Sequence, residues 1–206
     1  MTAILKVDTI QDTAGNNIIN ESSDTITIGA SGDTTNIVGT LQNNGSALIS
    51  GITMADQWRL TANLTNVTSQ FITANLEQID SSGQGTIGTA MSESSGVFTF
   101  PSTGIYLVGF SLYVYASVSD GFVDAEIHVT TNNSAYAEVA NATAGIFTNG
   151  SATVGNSSLA QTLIDVTNTS NVKVKFYVDT LNTGTQVTGS TSATKTGFTF
   201  IRLGDT

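Results

Sequence analysis

The sequence predicts an all-β protein whose main part is a two-sheet sandwich or jelly roll. Charged residues make up only 11% of the 206-residue chain, while Thr, Ser, Asn and Gly are abundant, and this composition favours strands and turns over helices. After residue 57, about eight to ten apolar stretches are separated by turn residues. The densest apolar run, residues 96–115, also contains the only proline. No segment is better explained as a helix than as a strand, so we expect the sheets to form the core.

The first part of the chain, residues 1–56, contains no aromatic residue. Its short apolar stretches recur about every ten positions between turn residues, as small strands do. Because it lacks large side chains for a core, we expect it to be ordered by wrapping around copies of itself or by docking on a partner. A disordered linker is the alternative. The sequence therefore predicts a β-rich attachment and oligomerisation segment at residues 1–56.

The second part, residues 57–206, begins with alternating apolar and polar residues at 58–64 and 71–79, which predict two strands, although the second could be a short helix. Residues 96–118 are interpreted as a hairpin: a short strand, a turn at 101–104 and a long strand from residue 105. That long strand is apolar at nearly every position through Tyr115. Such a pattern is typical of a strand that is covered on both faces.

The next stretch, residues 122–130, alternates strictly. Its predicted apolar face consists of Val123, Ala125, Ile127 and Val129. Its predicted polar face consists of Asp124, Glu126 and His128. Further strands are predicted at 135–139, 144–148, 158–166, 172–179 and 196–203. The strand count and the turns between them are typical of a sandwich or jelly roll.

Charge and cysteine content exclude several functions. The net charge is −10 with only six Lys and Arg residues, too few cations to neutralise a row of phosphates, so nucleic-acid and anionic-membrane binding are not expected. The absence of cysteine excludes disulfides, thiolate metal sites and thiol catalysis. The N-terminus lacks the pattern of a signal peptide, and no run reaches membrane-spanning length. We expect synthesis in a cytosol.

His128 is the only histidine, so a Ser-His-Asp triad would have to use it together with Asp124 or Glu126. Residues two apart on a strand face do not hold the ring as a triad acid does, so no enzyme and no cofactor are predicted. Asp124, Glu126 and His128 could instead form a metal site if a trimer brought three copies of this face to its axis. The simpler interpretation is a solvated polar face.

Two further ligand sites remain open from the residue types alone. Calcium could bind through the oxygens of Asp120, Asp124 and Glu126, although no calcium-loop motif is present. Exposed aromatic residues could form a saccharide platform or a trimer interface, or could be core residues with solvated hydroxyls. The candidates are Trp58, Tyr113, Tyr115 and Tyr136.

Three stretches together resemble the C1q/TNF-like jelly-roll family over about residues 57–206. The first, GVFTFPSTGIY at 96–106, is similar to the family's Gly-x-Phe-x-x-Pro-x-x-Gly-x-Tyr signature. The second is SLAQTLIDV at 158–166 followed by VKVKF at 172–176. The third, TGFTFIRL at 196–203, is similar to the family's terminal strand. The resemblance implies a jelly roll and a homotrimer.

The N-terminal part resembles a different group. The stretch ILKVDTIQDTAGN at 4–16 is similar to the N-terminal segment of bacteriophage fibre-like structural proteins, and DQWRL at 56–60 is similar to the opening of C1q-like domains in such proteins. No collagen-like stalk precedes the jelly roll. The resemblance implies a homotrimer on a virion surface, made in the host cytoplasm.

Together these resemblances imply a non-enzymatic phage virion protein. The expected form is a trimeric surface fibre or spike: residues 1–56 bind other virion proteins, and residues 57–206 contact a host receptor or glycan. The alternative is a capsid decoration or head-fibre protein that cements the capsid lattice. Neither nucleic-acid binding nor membrane insertion is expected.

Overall fold

The computed structural model describes residues 9–11, 13, 17–22, 25–28, 31–39, 41–43, 46–47, 51–65, 69–148, 153–179 and 182–206. Every regular element in these ranges is a β-strand, which confirms the all-β class. Consistently, the described residues contain no helix with the length and hydropathy needed to cross a membrane. Most of the fibre-like stretch at 4–16 lies outside the described residues, so that resemblance stays a prediction.

The chain divides into two compact units, residues 1–50 and 51–206. The first unit contains two small antiparallel sheets, which confirms a β-rich N-terminal segment. One sheet has the order β1-β2-β3 and the other pairs β4 with β5: β1 (Thr9–Gln11), β2 (Asn17–Ser22), β3 (Thr25–Ile28), β4 (Gln42–Asn43) and β5 (Ser46–Ala47).

The second unit is a sandwich of two antiparallel sheets of six strands each. Its strands are β6 (Met54–Leu60), β7 (Gln70–Phe71), β8 (Leu76–Gln78), β9 (Ser92–Ser94), β10 (Val97–Thr99), β11 (Gly104–Ala116), β12 (Asp120–Thr130), β13 (Ala137–Ile146), β14 (Val154–Val166), β15 (Lys173–Asp179), β16 (Thr185–Val187) and β17 (Gly197–Gly204). Sheet I has the order β13-β12-β15-β10-β9, with β7 also paired to β15. Sheet II has the order β14-β11-β17-β6-β8, with β16 also paired to β11.

The core between the sheets is rich in phenylalanine. Phe176 of sheet I and Phe198 of sheet II lie with their ring centroids 4.4 Å apart, and Phe98 packs against both. All three side chains are almost completely buried. Interlocked rings from facing strands give the core large apolar area with defined geometry, and they hold the two sheets in register.

Several predicted strands are observed with shifted or merged bounds. The stretch 71–79 forms β7 and β8 rather than one strand or helix, and 135–139 and 144–148 form the single strand β13. The predicted boundary at residue 56 lies inside β6, which belongs to the second unit. The assignment of the two parts as attachment segment and head stays a prediction.

The predicted hairpin at 96–118 is wrong. Strand β10 pairs with β15 and β9 in sheet I, whereas β11 pairs with β14, β16 and β17 in sheet II. The turn at 101–104 therefore carries the chain from one sheet to the other. Phe98 before the turn and Tyr106 after it enter the shared core from opposite sheets, and both are fully buried.

Candidate functional site

The outward face of sheet I carries Asp124, Glu126 and His128 on β12, here called the polar row. Their neighbours Val123, Ala125 and Ile127 are fully buried in the core, as the alternation predicts. Glu126 is only 7% exposed, and its Oε2 lies 2.6 Å from Nε2 of His128. The polar row is therefore not a fully solvated strand face. The expectation that residues two apart on a strand do not hold the His128 ring is wrong, because the Glu126 carboxylate contacts it directly.

A third carboxylate joins the polar row from the next strand. Asp179 of β15 lies opposite Asp124 in the strand register, and one oxygen each of Asp124, Glu126 and Asp179 lie within 4.8 Å of one another. Asp124 also accepts a hydrogen bond of 2.5 Å from Thr143, and Ser69 donates one to Asp179. Oxygen ligands of this kind suit hard cations. The predicted three-fold metal site at the polar row stays a prediction.

Sequence reasoning missed Asp179 because alternation identifies the faces of a strand but not the strand beside it. Residue 179 is the last position of a correctly predicted strand, and 55 positions separate it from Asp124. The pairing of β12 with β15 and the register Asp124↔Asp179 bring the two carboxylates together.

Aromatic rings and one lysine surround His128. Phe71 of β7 lies edge-on to the His128 ring, with centroids 5.2 Å apart, and to Tyr177, with centroids 4.8 Å apart. The ammonium of Lys175 lies 5.2 Å from the Phe71 centroid and 4.4 Å from the Tyr136 centroid. Burial raises the pKa of Tyr136 above its ordinary value. This cluster covers part of the polar row.

Asp120 does not join these carboxylates in a calcium site. It is 1% exposed, and its two oxygens accept hydrogen bonds from the Asn182 backbone and side-chain amides, at 3.0 and 2.9 Å, and from the Thr185 hydroxyl, at 2.7 Å. These bonds fix the loop at 182–185 against the start of β12. Asp120 is therefore a structural anchor in this chain.

The four aromatic residues considered for a saccharide platform do not form one surface. Trp58 packs edge-on against Phe98 in the core, with centroids 5.4 Å apart. Tyr113 and Tyr115 lie half-buried on the outward side of β11 in sheet II, whereas Tyr136 contacts Lys175 of sheet I. Trp58 therefore belongs to the core, and only Tyr113 and Tyr115 share a face.

That outward face of sheet II also carries a group of aliphatic side chains, among polar and small residues such as Gln161 and Thr199. Leu107 of β11 lies directly between Leu163 of β14 and Ile201 of β17 in the strand register. Leu159 and Leu163 are 55% and 61% exposed. The surface formed by these side chains and Ile105 is called the leucine face, and its members are Ile105, Leu107, Leu159, Leu163 and Ile201. An apolar face across three strands marks an interaction surface when it is left open to water.

The leucine face explains the unusual sequence of β11. Its even-numbered residues from Tyr106 to Ala116 are fully buried between the sheets, while Ile105 and Leu107 on the other side are only half-buried. The sequence predicted a strand covered on both faces. Within one chain, the sandwich covers only one of them.

Solved structures share this fold. Murine APRIL at pH 5.0 aligns with a TM-score of 0.52 and 11% identity, over 73% of this chain and 98% of that chain. Eiger TNF from S. frugiperda aligns with a TM-score of 0.50 and 11% identity, over 76% of this chain and 96% of that chain. No protein-family model and no curated protein sequence matches the chain. The predicted C1q/TNF-like jelly roll is thereby confirmed as a fold.

Proposed function

We propose that this chain is a non-enzymatic binding protein of a bacteriophage virion, that it forms a homotrimer through the leucine face, and that its jelly roll contacts a host receptor or glycan. Residues 1–56 attach the trimer to other virion proteins at the particle surface. The TNF-like fold supports a binding role, and the sequence resemblances of both parts support the phage context. The leucine face is the observation that carries the proposal.

The leucine face has the properties of a permanent contact between copies. Its side chains come from three adjacent strands of one sheet, and complete burial of an exposed leucine contributes at most about 1.5–3 kcal/mol. Asp165, opposite Ile105, is an exposed charge beside it. An apolar centre with a polar margin is the usual composition of homo-oligomer interfaces. In a cyclic trimer, every subunit can contact its two neighbours through this same face.

This arrangement and the three-fold metal site at the polar row exclude each other. The polar row lies on the outward face of sheet I, and the leucine face lies on the outward face of sheet II, on the opposite side of the sandwich. If sheet II meets the axis, three copies of His128 cannot converge there. Any cation at the polar row would then be bound by the carboxylates of one chain.

The mass of the purified full-length chain in solution tests self-association. Light scattering should give three times the chain mass of 21.3 kDa. Leu163→Glu should give the mass of one folded chain, because it places a charge on the most exposed leucine of the leucine face. Val139→Glu is the matched control, since Val139 is an exposed aliphatic residue on sheet I. A wild-type protein with the mass of one chain would overturn the trimer, as would a trimeric Leu163→Glu protein.

Particle incorporation tests the virion role. Removing residues 1–50 leaves β6 and the whole second unit intact, so the truncated chain should fold but should no longer incorporate into particles. Normal incorporation of that chain would contradict the proposed attachment. The copy number per particle then separates a fibre or spike, with a few trimers, from a capsid decoration, with a trimer at many lattice positions.

A further inference from the structure

The three-stranded sheet of the first unit carries a row of isoleucines on one face. Ile19 of β2 lies directly opposite Ile10 of β1 on one side and opposite Ile28 of β3 on the other. Directly opposed residues of antiparallel strands share a face, with neighbouring Cβ atoms about 4.5–5.5 Å apart. Ile10, Ile19 and Ile28 therefore form one continuous strip, called the isoleucine row. Ile26, two positions before Ile28, extends it along the same face.

This strip is open to water in the single chain. Ile19 and Ile28 are 38% and 56% exposed, and Ile26 is 68% exposed. Residues 1–50 contain no aromatic side chain that could cover it. Ile37 and Val38 of the same unit are also exposed, so they do not supply a lid either. A small meander needs a covered apolar face to be stable in water, and this unit does not provide the cover from its own described residues.

The composition of the strip favours another copy of itself as the cover. It consists of one β-branched aliphatic residue type repeated across three strands, and identical flat strips of this kind interdigitate well. The strip is aliphatic, like the leucine face of the second unit. The two units belong to one covalent chain. Once three second units associate, three copies of the strip are held at an effective concentration of about millimolar, so weak apolar contacts suffice.

We propose that the isoleucine row is a second self-association surface, through which the N-terminal units of different copies pack against one another. Each sheet then covers the strips of its neighbours, and the first unit acquires its apolar core only in the assembled protein. This inference rests on the proposed trimer for its stoichiometry. It assigns a distinct surface, however, and it can fail while the trimer stands.

Cysteine cross-linking tests the contact in the full-length chain. Because the protein has no cysteine, Ile26→Cys introduces a single thiol at the edge of the strip. Oxidation with diamide at low micromolar protein should link two chains of each trimer through a disulfide, visible as a dimer on a non-reducing gel. Thr35→Cys is the control, because residue 35 is exposed and lies outside the strands. It should give far less dimer.

Hydrogen exchange of the full-length chain gives an independent measurement. Amides of residues 9–28 should be protected in the wild type and should lose most of that protection in Ile19→Asp, while light scattering still gives three chains. Thr35→Asp should keep the protection. A trimer in which Ile26→Cys gives no more dimer than Thr35→Cys would overturn the inference and leave the proposed function intact. So would protection that appears only after other virion proteins are added.

Discussion

The indole nitrogen of Trp58 donates a hydrogen bond of 2.9 Å to the carboxylate of Asp56, two residues earlier in β6. The same carboxylate, which is 1% exposed, accepts a second bond of 2.9 Å from the backbone amide of Met91. Asp56 thus connects β6 to the segment that leads into β9. The ring of Trp58, fixed by this bond, packs edge-on against Phe98.

Replacing Asp56 should destabilise the second unit strongly. Asp56→Ala leaves the Trp58 and Met91 donors without their acceptor, and each unsatisfied buried donor costs about 1–3 kcal/mol. Asp56→Asn keeps one side-chain oxygen as an acceptor. Its free energy of unfolding should therefore lie between those of Asp56→Ala and the wild type. The free energy of unfolding from urea denaturation measures the effect. Asp205→Ala, at an exposed carboxylate, should change it little, and an equal loss in both Ala variants would contradict the role of Asp56.

The stability of the second unit should depend on the two carboxylates that pair with the buried Arg59. Its guanidinium is 1% exposed and donates to Glu77 at 2.9 Å and to Asp80 at 2.7 Å. Removing both charges with Glu77→Gln and Asp80→Asn leaves a buried cation without an opposite charge, at a cost of about 3–5 kcal/mol. Asp80→Asn alone should cost much less, because Asp80 is largely exposed and Glu77 remains. Urea denaturation of the single and double variants measures both values, and additive small losses would contradict the prediction.

Alternation predicted the faces of the strands but not their neighbours. Residues 122–130 could be assigned to two faces, because side chains of a strand alternate whatever lies beside it. The burial of Glu126 on the outward face could not be derived from the alternation. Neither the proximity of Asp179 to Asp124 nor the passage of the chain between sheets at 101–104 could be derived in this way. Both depend on which strands pair, and pairing is decided by contacts between residues far apart in sequence.

The unusual apolar content of β11 could be read from the sequence, but its cause could not. Continuous apolar residues predict cover on both faces, whereas within the sandwich only one face of β11 is fully buried. The same limit applies to the first unit, where the sequence shows too few large side chains for a core. Only the register of Ile10, Ile19 and Ile28 shows that these three residues lie on one face.

Tyr136 should ionise at higher pH than an unperturbed tyrosine. Burial raises its pKa above the ordinary value of 10.0, so the folded protein holds the phenol proton more tightly than the unfolded chain does. This contribution to stability is fully present below pH 10.0 and is lost as pH rises through the raised pKa. In an alkaline titration of tyrosinate absorbance, Tyr136→Phe should remove one tyrosine's share of the change that occurs above the ordinary pKa of 10.0. In denaturant, the absorbance change of the variant should be smaller than that of the wild type by the share of one tyrosine out of five.

The two glycines of the family-like signature should be far less replaceable than Gly121 of β12. Gly96 has a φ of +81°, and a Cβ there would lie 2.3 Å from the carbonyl oxygen of Ile72. Gly104 has a φ of +140°, and its Cβ would lie 2.5 Å from the carbonyl oxygen of Gly204. The contact in each case is backbone, which cannot move aside without breaking the sheet.

We therefore expect Gly96→Ala and Gly104→Ala to lower the midpoint of guanidinium denaturation substantially. The left-handed conformation alone costs about 1–2 kcal/mol for a residue with a Cβ, and the steric overlap adds to it. Gly121→Ala is the matched control, since Gly121 lies in β12 with open space where its Cβ would be. It should be neutral or slightly stabilising, because alanine restricts the unfolded chain more than glycine does. Equal midpoints for all three variants would show that the signature glycines do not have the backbone role assigned to them.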